Sequence, residues 1–224
     1  MQTGLHHLGI PPAAPFGAES SGPAIAPLPM TPKPVLRQRF LEQRRQRSPE
    51  EQQRLSAAIA ARLQAWPRWQ QARTVVSYWP IRGEVDLTPL FAAPKTWGLP
   101  RCDGTGPMTI HHADPATLER DRYGIPSPAA EAPKLDPAAV DLILVPMLGG
   151  DRRGYRLGYG AGYYDRLQAD PAWAAVPSLG ICFADELVTE LPIDPWDQPL
   201  GGICTEAELI WQPQPISIGN TQSL

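Results

Sequence analysis

One stretch of this 224-residue chain gathers the residue types that handle a phosphate and its metal. It reads Asp151-Arg152-Arg153-Gly154-Tyr155-Arg156-Leu157-Gly158-Tyr159-Gly160-Ala161-Gly162-Tyr163-Tyr164-Asp165-Arg166. Glycines at 158, 160 and 162 permit positive φ and leave backbone N–H groups unshielded. Successive amides pointing inward at the start of a helix form an anion nest. Arg156 adds charge and a bidentate fork for phosphate oxygens. Asp165 is a hard oxygen donor suited to Mg²⁺ beside phosphates. The spacing G-x-G-x-G is neither a G-x-x-x-x-G-K-[ST] loop nor a G-x-G-x-x-G fingerprint. The glycines alone would equally suit a tight strand-to-helix connection. The flanking Arg156 and Asp165 favour a polyphosphate site.

The elements around this stretch must position it. Val140 to Val145 is a nearly continuous apolar run closed by Pro146, which predicts a central parallel strand just before the loop. Residues 162–169 read as the helix after it. Thr74 to Trp79 is β-branched and aromatic and predicts a buried strand. Further strands are expected at Trp97–Pro100, Met108–His112, Ser178–Ala184 and, last, Gly202–Thr205. A first helix begins near Lys33, with Val35, Leu36, Phe40 and Leu41 at helical spacing. Ser48-Pro49-Glu50-Glu51 is a capping box opening a second helix, which Pro67 should end. Asp86–Ala93 reads as a short helix. Strands alternate with helices, so an α/β fold with a largely parallel sheet follows.

Other features have blander readings. Five arginines lie between residues 37 and 47. Glu42 and the glutamines dilute them and no aromatics interleave for base stacking, so a solvated helix face is expected rather than an RNA site. His111 and His112 are adjacent and would face opposite sides of a strand, a poor metal pair.

Composition bounds the rest. The chain holds 28 prolines and 19 glycines, roughly a fifth of its length against about 12% in an average protein. Seven prolines fall in residues 1–32, where Glu19 is the sole Asp, Glu, Lys or Arg. That segment reads as a disordered extension, or as the product of a start codon set upstream of the true one. It has neither the basic start nor the apolar run of a signal peptide. An apolar content of 42% argues against global disorder, and a net charge of −3 provides no basic field for nucleic acid or anionic lipid. No stretch reaches the roughly 18 apolar residues of a membrane span. Cys102, Cys182 and Cys204 form no C-x-x-C pair, so neither a zinc site nor a disulfide framework is implied. A reduced, cytoplasmic compartment fits best.

The run Arg156–Asp165 resembles R-L-G-x-G-x-G-Y-Y-D, the most specific signature of the 5-formyltetrahydrofolate cyclo-ligase (methenyltetrahydrofolate synthetase) family. Other pieces follow in the family's order. Lys33-Pro34-Val35-Leu36-Arg37 looks like its K-x-x-x-R opening. Tyr78-Trp79-Pro80 with Glu84-Val85-Asp86 is similar to its Y-x-P and E-V-D segments. Leu99-Pro100, Met108 and Tyr123-Gly124-Ile125-Pro126 fall at the expected places. Leu191-Pro192, Asp197 and Thr205-Glu206 resemble its tail. The resemblance covers about residues 33–210. It implies a three-layer α/β/α, Rossmann-like single domain with a mostly parallel sheet, over residues 33–212, followed by a C-terminal tail at 213–224.

It also implies an activity: 5-formyltetrahydrofolate, ATP and Mg²⁺ go to 5,10-methenyltetrahydrofolate, ADP and phosphate. In the family's mechanism the formyl oxygen attacks the γ-phosphate, N10 attacks the resulting iminium phosphate, and phosphate leaves. Carried over residue by residue, Lys33 and Arg37 would contact ATP phosphates. Arg156, Leu157, Gly158, Tyr159, Gly160, Ala161, Gly162, Tyr163 and Tyr164 would wrap them. Tyr159 to Tyr163 would also abut the folate, with Arg156 and Tyr163 as the catalytic pair. Asp165 would bind Mg²⁺, with Asp197 as a second contact. Glu84 would accept from the pterin N–H edge, and Trp79 and Tyr123 would wall the folate. The resemblance implies a small-molecule reduced-folate substrate, no nucleic-acid or membrane partner, and a monomer.

Three positions depart from the family's pattern. Ser127 stands where members often carry Glu in G-I-P-E-P. Gly149-Gly150 stands where many carry Ala-Phe, and the absent aromatic would loosen the loop or the folate wall. Trp196 stands where a His is common. All three touch the folate side more than the phosphate side. Two alternatives therefore stay open: a non-catalytic folate- or nucleotide-binding relative, and an ATP-dependent ligase for another N-formyl or amide compound.

Overall fold

The structure, a computed structural model, describes residues 31–212 except Asp103 and Thr105. Nearly all of the expected extension and the whole C-terminal tail lie outside the described residues.

Helix α1 runs from Lys33 to Gln46, α2 from Pro49 to Ala65 and α3 from Pro67 to Gln71. The Ser48 hydroxyl accepts from the Glu51 N–H, which is the expected cap of α2. Pro67 does more than end α2. It occupies the first turn of α3, where its missing N–H costs nothing.

The strands in chain order are β1 (Thr74–Val76), β2 (Thr96–Arg101), β3 (Thr109–Ala113), β4 (Glu119–Arg120), β5 (Pro126–Ser127) and β6 (Leu142–Pro146). Then come β7 (Gly149–Asp151), β8 (Arg156–Leu157), β9 (Ser178–Ile181), β10 (Leu187–Val188), β11 (Gly202–Cys204) and β12 (Leu209–Trp211). Helices α4 (Tyr163–Ala169) and α5 (Pro171–Ala174) lie between β8 and β9.

Seven strands form the main sheet in the order β12-β11-β9-β6-β1-β2-β3. Its five inner strands are parallel, and the outer pairs β11–β12 and β2–β3 are antiparallel. The strand at β12 was not expected: three half-buried residues at a sheet edge carry little periodic signal. The segment expected as a helix at Asp86–Ala93 is instead a 3₁₀ turn at Thr88–Ala92, with Pro89 inside it.

Alternate residues of the parallel strands build two cores. Val75, Leu142, Leu144 and Leu179 pack with Ile59 and Leu63 of α2 and Trp69 of α3. Val76, Ile143, Val145 and Ile203 pack with Leu167 of α4 on the other face. The sheet is therefore the middle layer of three, as expected. A third cluster joins Leu36 and Phe40 of α1 to Leu148, Leu157 and Leu191 around the small sheet β10-β7-β8.

That cluster bears on one departure noted in the sequence. A Cβ on Gly149 would lie 2.4 Å from the Phe40 ring. The family's aromatic would stand at the next residue, Gly150, where a Cβ would lie 3.0 Å from the Tyr155 carbonyl oxygen and 3.1 Å from the Met147 methyl, so the space there is filled by this chain's own residues. In sheets of this type ligands bind beyond the strand C-termini where the strand order reverses. Here the reversal falls between β1 and β6.

Candidate active site

The glycine loop leaves β8 at Leu157 and ends at Gly162, the N-cap of α4. Gly160 (φ 100°) and Gly162 (φ 69°) sit in the left-handed region that glycine tolerates. Gly158 does not need this freedom, because its φ lies outside the left-handed region, and a Cβ there would meet open space. Among the described residues, the N–H groups of Gly160 to Tyr164 have no hydrogen-bond acceptor. Donors left open on one loop are what an anion nest requires.

Arg156 is held under the loop, its side chain 6% exposed. Its guanidinium donates to Gln168 Oε1 at 2.7 Å, to the Gln198 carbonyl at 3.0 Å, and to Asp165 Oδ1. Burial lowers its pKa, and the Asp165 charge opposes that. Arg37, one turn into α1, donates from Nε to the Gly158 carbonyl at 2.9 Å. Lys33, at the start of α1, donates to Asp194 Oδ2 at 2.6 Å and Asp197 Oδ2 at 2.5 Å. Burial works against its charge, but these two bonds dominate and its pKa is raised. Lys33, Arg37, Arg156, Asp165 and Asp197 thus meet around one loop.

Among the described residues no three or more His, Cys, Asp or Glu side chains form a metal cage. The two carboxylates beside Arg156 suit a different kind of cation site. Asp165 and Asp197 each bind the neighbouring cation through a single oxygen. Mg²⁺ typically takes one or two protein carboxylates, phosphate oxygens and waters, so this donor set fits it.

A second group lies below the loop, outside the C-termini of β1 and β6. Glu84 is 3% exposed, and its Oε2 accepts from the Ile81 N–H at 2.9 Å. Burial pushes its carboxyl up to about 7, against the pull of the Ile81 N–H and of Arg44. Burial first, and then the Glu84 charge, raise the pKa of the Tyr159 hydroxyl, so it too keeps its proton. Two buried hydroxyls of the same region, Ser77 Oγ and Tyr164 Oη, have no partner among the described residues. Burial raises the Tyr164 pKa, so this group is a neutral donor. Orphaned polar groups beside a buried carboxylate suit a polar heterocycle that would pair with them.

The remaining expected residues divide. Tyr123 and Tyr163 meet through their hydroxyls at 3.2 Å, and Tyr163 also donates to the Gly104 carbonyl at 3.3 Å. The Tyr123 bond and then burial push the Tyr163 hydroxyl up to about 12, so it keeps its proton at neutral pH. Leu157 belongs to the α1 core cluster, so only its backbone can serve the loop. Trp79 turns to Phe91, with ring centroids 6.3 Å apart. Of the three departures, Ser127 is buried with a hydroxyl that has no partner among the described residues, and Trp196 is 66% exposed beside Asp197.

The arginine-rich face of α1 contradicts the reading of a wholly solvated surface. Arg44 is buried and forks onto Glu186 at 2.6 and 2.9 Å. It also donates to the Met147 carbonyl at 2.6 Å and the Tyr159 hydroxyl at 2.9 Å. Burial opposes its charge, but the Glu186 pair prevails and raises its pKa. Removing one partner of a buried pair typically costs about 3–5 kcal/mol. The signal was present: Leu36, Phe40 and Arg44 repeat every four residues on one face. Glu186 is 142 residues away in sequence, and nothing local announces it.

Residues 29–206 match the model of the 5-formyltetrahydrofolate cyclo-ligase family. The chain is 28% identical over 179 residues to the 5-formyltetrahydrofolate cyclo-ligase of Escherichia coli K12, covering 76% of this chain and 98% of that protein. The solution structure of Aquifex aeolicus 5,10-methenyltetrahydrofolate synthetase superposes with a TM-score of 0.73. It is 34% identical and covers 85% of this chain and 97% of its own. The Mycoplasma pneumoniae 5,10-methenyltetrahydrofolate synthetase shares the fold at a TM-score of 0.65 and 23% identity, over 79% of this chain and 99% of its own.

Proposed function

Because the chain belongs to the 5-formyltetrahydrofolate cyclo-ligase family, we propose that it closes 5-formyltetrahydrofolate to 5,10-methenyltetrahydrofolate in the cleft beyond β1 and β6. ATP is the activating nucleotide and Mg²⁺ its counter-ion. One observation carries the placement: the glycine loop has cationic side chains and two carboxylates on one side and the buried Glu84 on the other.

The chemistry divides between those two sides. The oxygen of an N-formyl group is a poor nucleophile and a worse leaving group. Transfer of the γ-phosphoryl to that oxygen, with ADP leaving, turns it into phosphate. The N10 lone pair then attacks the formyl carbon, the C–N bond forms, the C–O bond breaks, and N10 loses its proton. The protein's task is positioning and charge stabilisation. Lys33, Arg37, Arg156 and the loop amides hold the phosphates. Asp165 and Asp197 hold the cation, which offsets charge on the phosphates. Glu84 accepts from the ring N–H edge. Tyr163, neutral at physiological pH, offers a hydroxyl donor at the loop, and Tyr123 stands beside it.

Residues 33–212 form the enzyme, active as a monomer in a reducing cytoplasm. No described helix is long and apolar enough to cross a membrane. The test is appearance of the methenyl product from the three purified reactants.

A further inference from the structure

The chain holds seven tryptophans. Trp66, Trp69, Trp79, Trp97 and Trp211 lie in aromatic pairs, and Trp173 packs against the core on the α4 side of the sheet. Trp196 has neither kind of support. It is 66% exposed, and among the described residues its indole meets no ring, guanidinium or hydrogen-bond partner. Tryptophan is highly buried on average, so an indole left open beside a charged site calls for an occupant.

The backbone under that indole is firmly held. Trp196 is third in the turn Asp194-Pro195-Trp196-Asp197, which the Asp197 N–H closes onto the Asp194 carbonyl at 3.0 Å. Aspartate first and proline second are favoured residues of such a turn. The Asp197 carboxylate accepts from the Asp194 N–H at 2.7 Å, and Lys33 binds both aspartates. Arg156 donates to the next carbonyl, that of Gln198, at 3.0 Å. The turn is therefore tied to two of the cations assigned to the ATP phosphates. Ile193, 46% exposed, adds apolar surface on the other side of Asp194. The sequence pattern groups Trp196 with departures on the folate side. Its hydrogen-bonded surroundings are those of the phosphate side, and no hydrogen bond of Glu84, Tyr123 or Tyr163 reaches this turn.

Phosphates held at Lys33 and Arg156 leave the nucleoside end of ATP to lie against the surface beside them. A purine is flat and has a π-face, and an aromatic side chain stacks on it without any match of donors and acceptors. We propose that Trp196 is the base platform of the nucleotide site, its indole stacking on the adenine of ATP while Lys33, Arg37 and Arg156 hold the phosphates. The inference rests on ATP being the activating nucleotide. An indole has a larger face than the imidazole common at this position, so the change adds stacking area.

The test measures binding of ADP and of inorganic tripolyphosphate, with Mg²⁺ present, by titration calorimetry. The unaltered protein, Trp196→Ala and Trp196→Phe are compared, and the KM for 5-formyltetrahydrofolate is measured for each. ADP carries the base, and tripolyphosphate carries the charge alone. Trp196→Ala should weaken ADP binding about tenfold, within the range that one base–aromatic stack contributes. Tripolyphosphate binding and the folate KM should both stay within about twofold, a small part of a tenfold step. Phenylalanine keeps an aromatic face, so Trp196→Phe should recover most of the ADP affinity. If Trp196→Ala binds ADP as tightly as the unaltered protein, the platform is overturned and the ATP reading stands. A raised folate KM with ADP binding intact would make Trp196 a folate wall and overturn it equally. An equal loss of ADP and tripolyphosphate would mean a disturbed turn rather than a lost stack, and would also overturn it. If the unaltered protein binds neither ligand, the ATP reading itself is wrong and the inference goes with it.

Discussion

Arg156 and Asp165, at opposite ends of the glycine loop, are bound to each other as an ion pair. The residue assigned to phosphate and the residue assigned to metal therefore neutralise one another. A nucleotide with its cation can exchange both partners at once, phosphate for the arginine and metal for the carboxylate, leaving no charge unmatched. Lys33 and Asp197 repeat the arrangement at the start of α1.

Asp165→Asn tests the metal half. Activity should fall by about 100-fold or more, the scale of several kcal/mol of lost charge stabilisation. Asp165 is 41% exposed and Arg156 retains Gln168 and the Gln198 carbonyl. Loss of such a pair is worth about 1 kcal/mol or less, so Tm should drop by only a few degrees. A large fall in Tm with activity kept would make Asp165 a structural partner of Arg156.

Arg156→Ala tests the phosphate half. Loss of a charge-assisted contact of about 1.5–3 kcal/mol should raise the KM for ATP by tenfold or more. The KM for the folate should change little. Steady-state kinetics in both substrates separates the two, and an effect confined to the folate would refute the assignment.

Glu84→Gln should trade stability against binding. The folded carboxyl titrates near 7, above its ordinary range, because burial disfavours the charge. A raised carboxyl pKa means that the native state holds the proton more tightly than the unfolded chain. Its contribution is present below the ordinary range and is lost as pH rises through 7. The neutral amide should therefore raise Tm at pH 8 and alter it little at pH 5, while weakening folate binding at pH 8 and much less at pH 5, where the unaltered carboxyl is itself protonated. Thermal melts at the two pH values decide it.

The loop glycines are not equivalent. Gly160→Ala places a side chain at φ 100°, with a strain of roughly 1–2 kcal/mol. Gly158→Ala meets open space at an ordinary φ. The first should lower Tm by several degrees and the second should not. Equal losses would mean that the loop's shape is set by something other than backbone conformation.

Much of this was open to a reader of the sequence. Apolar runs such as Leu142–Pro146 are long enough to mark buried parallel strands, and Ser48-Pro49 marks a helix start through chemistry within one turn. The loop residues 156–165 are contiguous, so their grouping needed no fold. What stayed hidden depends on distant segments. Arg44 looks like a surface charge until Glu186 is brought against it. Phe40 closes over Gly149 from more than a hundred residues away, a contact that no local pattern shows. Short edge strands such as β12 gain their structure from pairing with β11 rather than from their own three residues.

The most direct measurement mixes the purified full-length protein with 5-formyltetrahydrofolate, ATP and Mg²⁺ and follows the absorbance of the methenyl product together with ADP. One ADP should appear for each methenyltetrahydrofolate, and omission of either ATP or Mg²⁺ should abolish both. Absence of the methenyl product, with folate binding intact or with ATP consumed on another formyl or amide compound, would contradict the assignment.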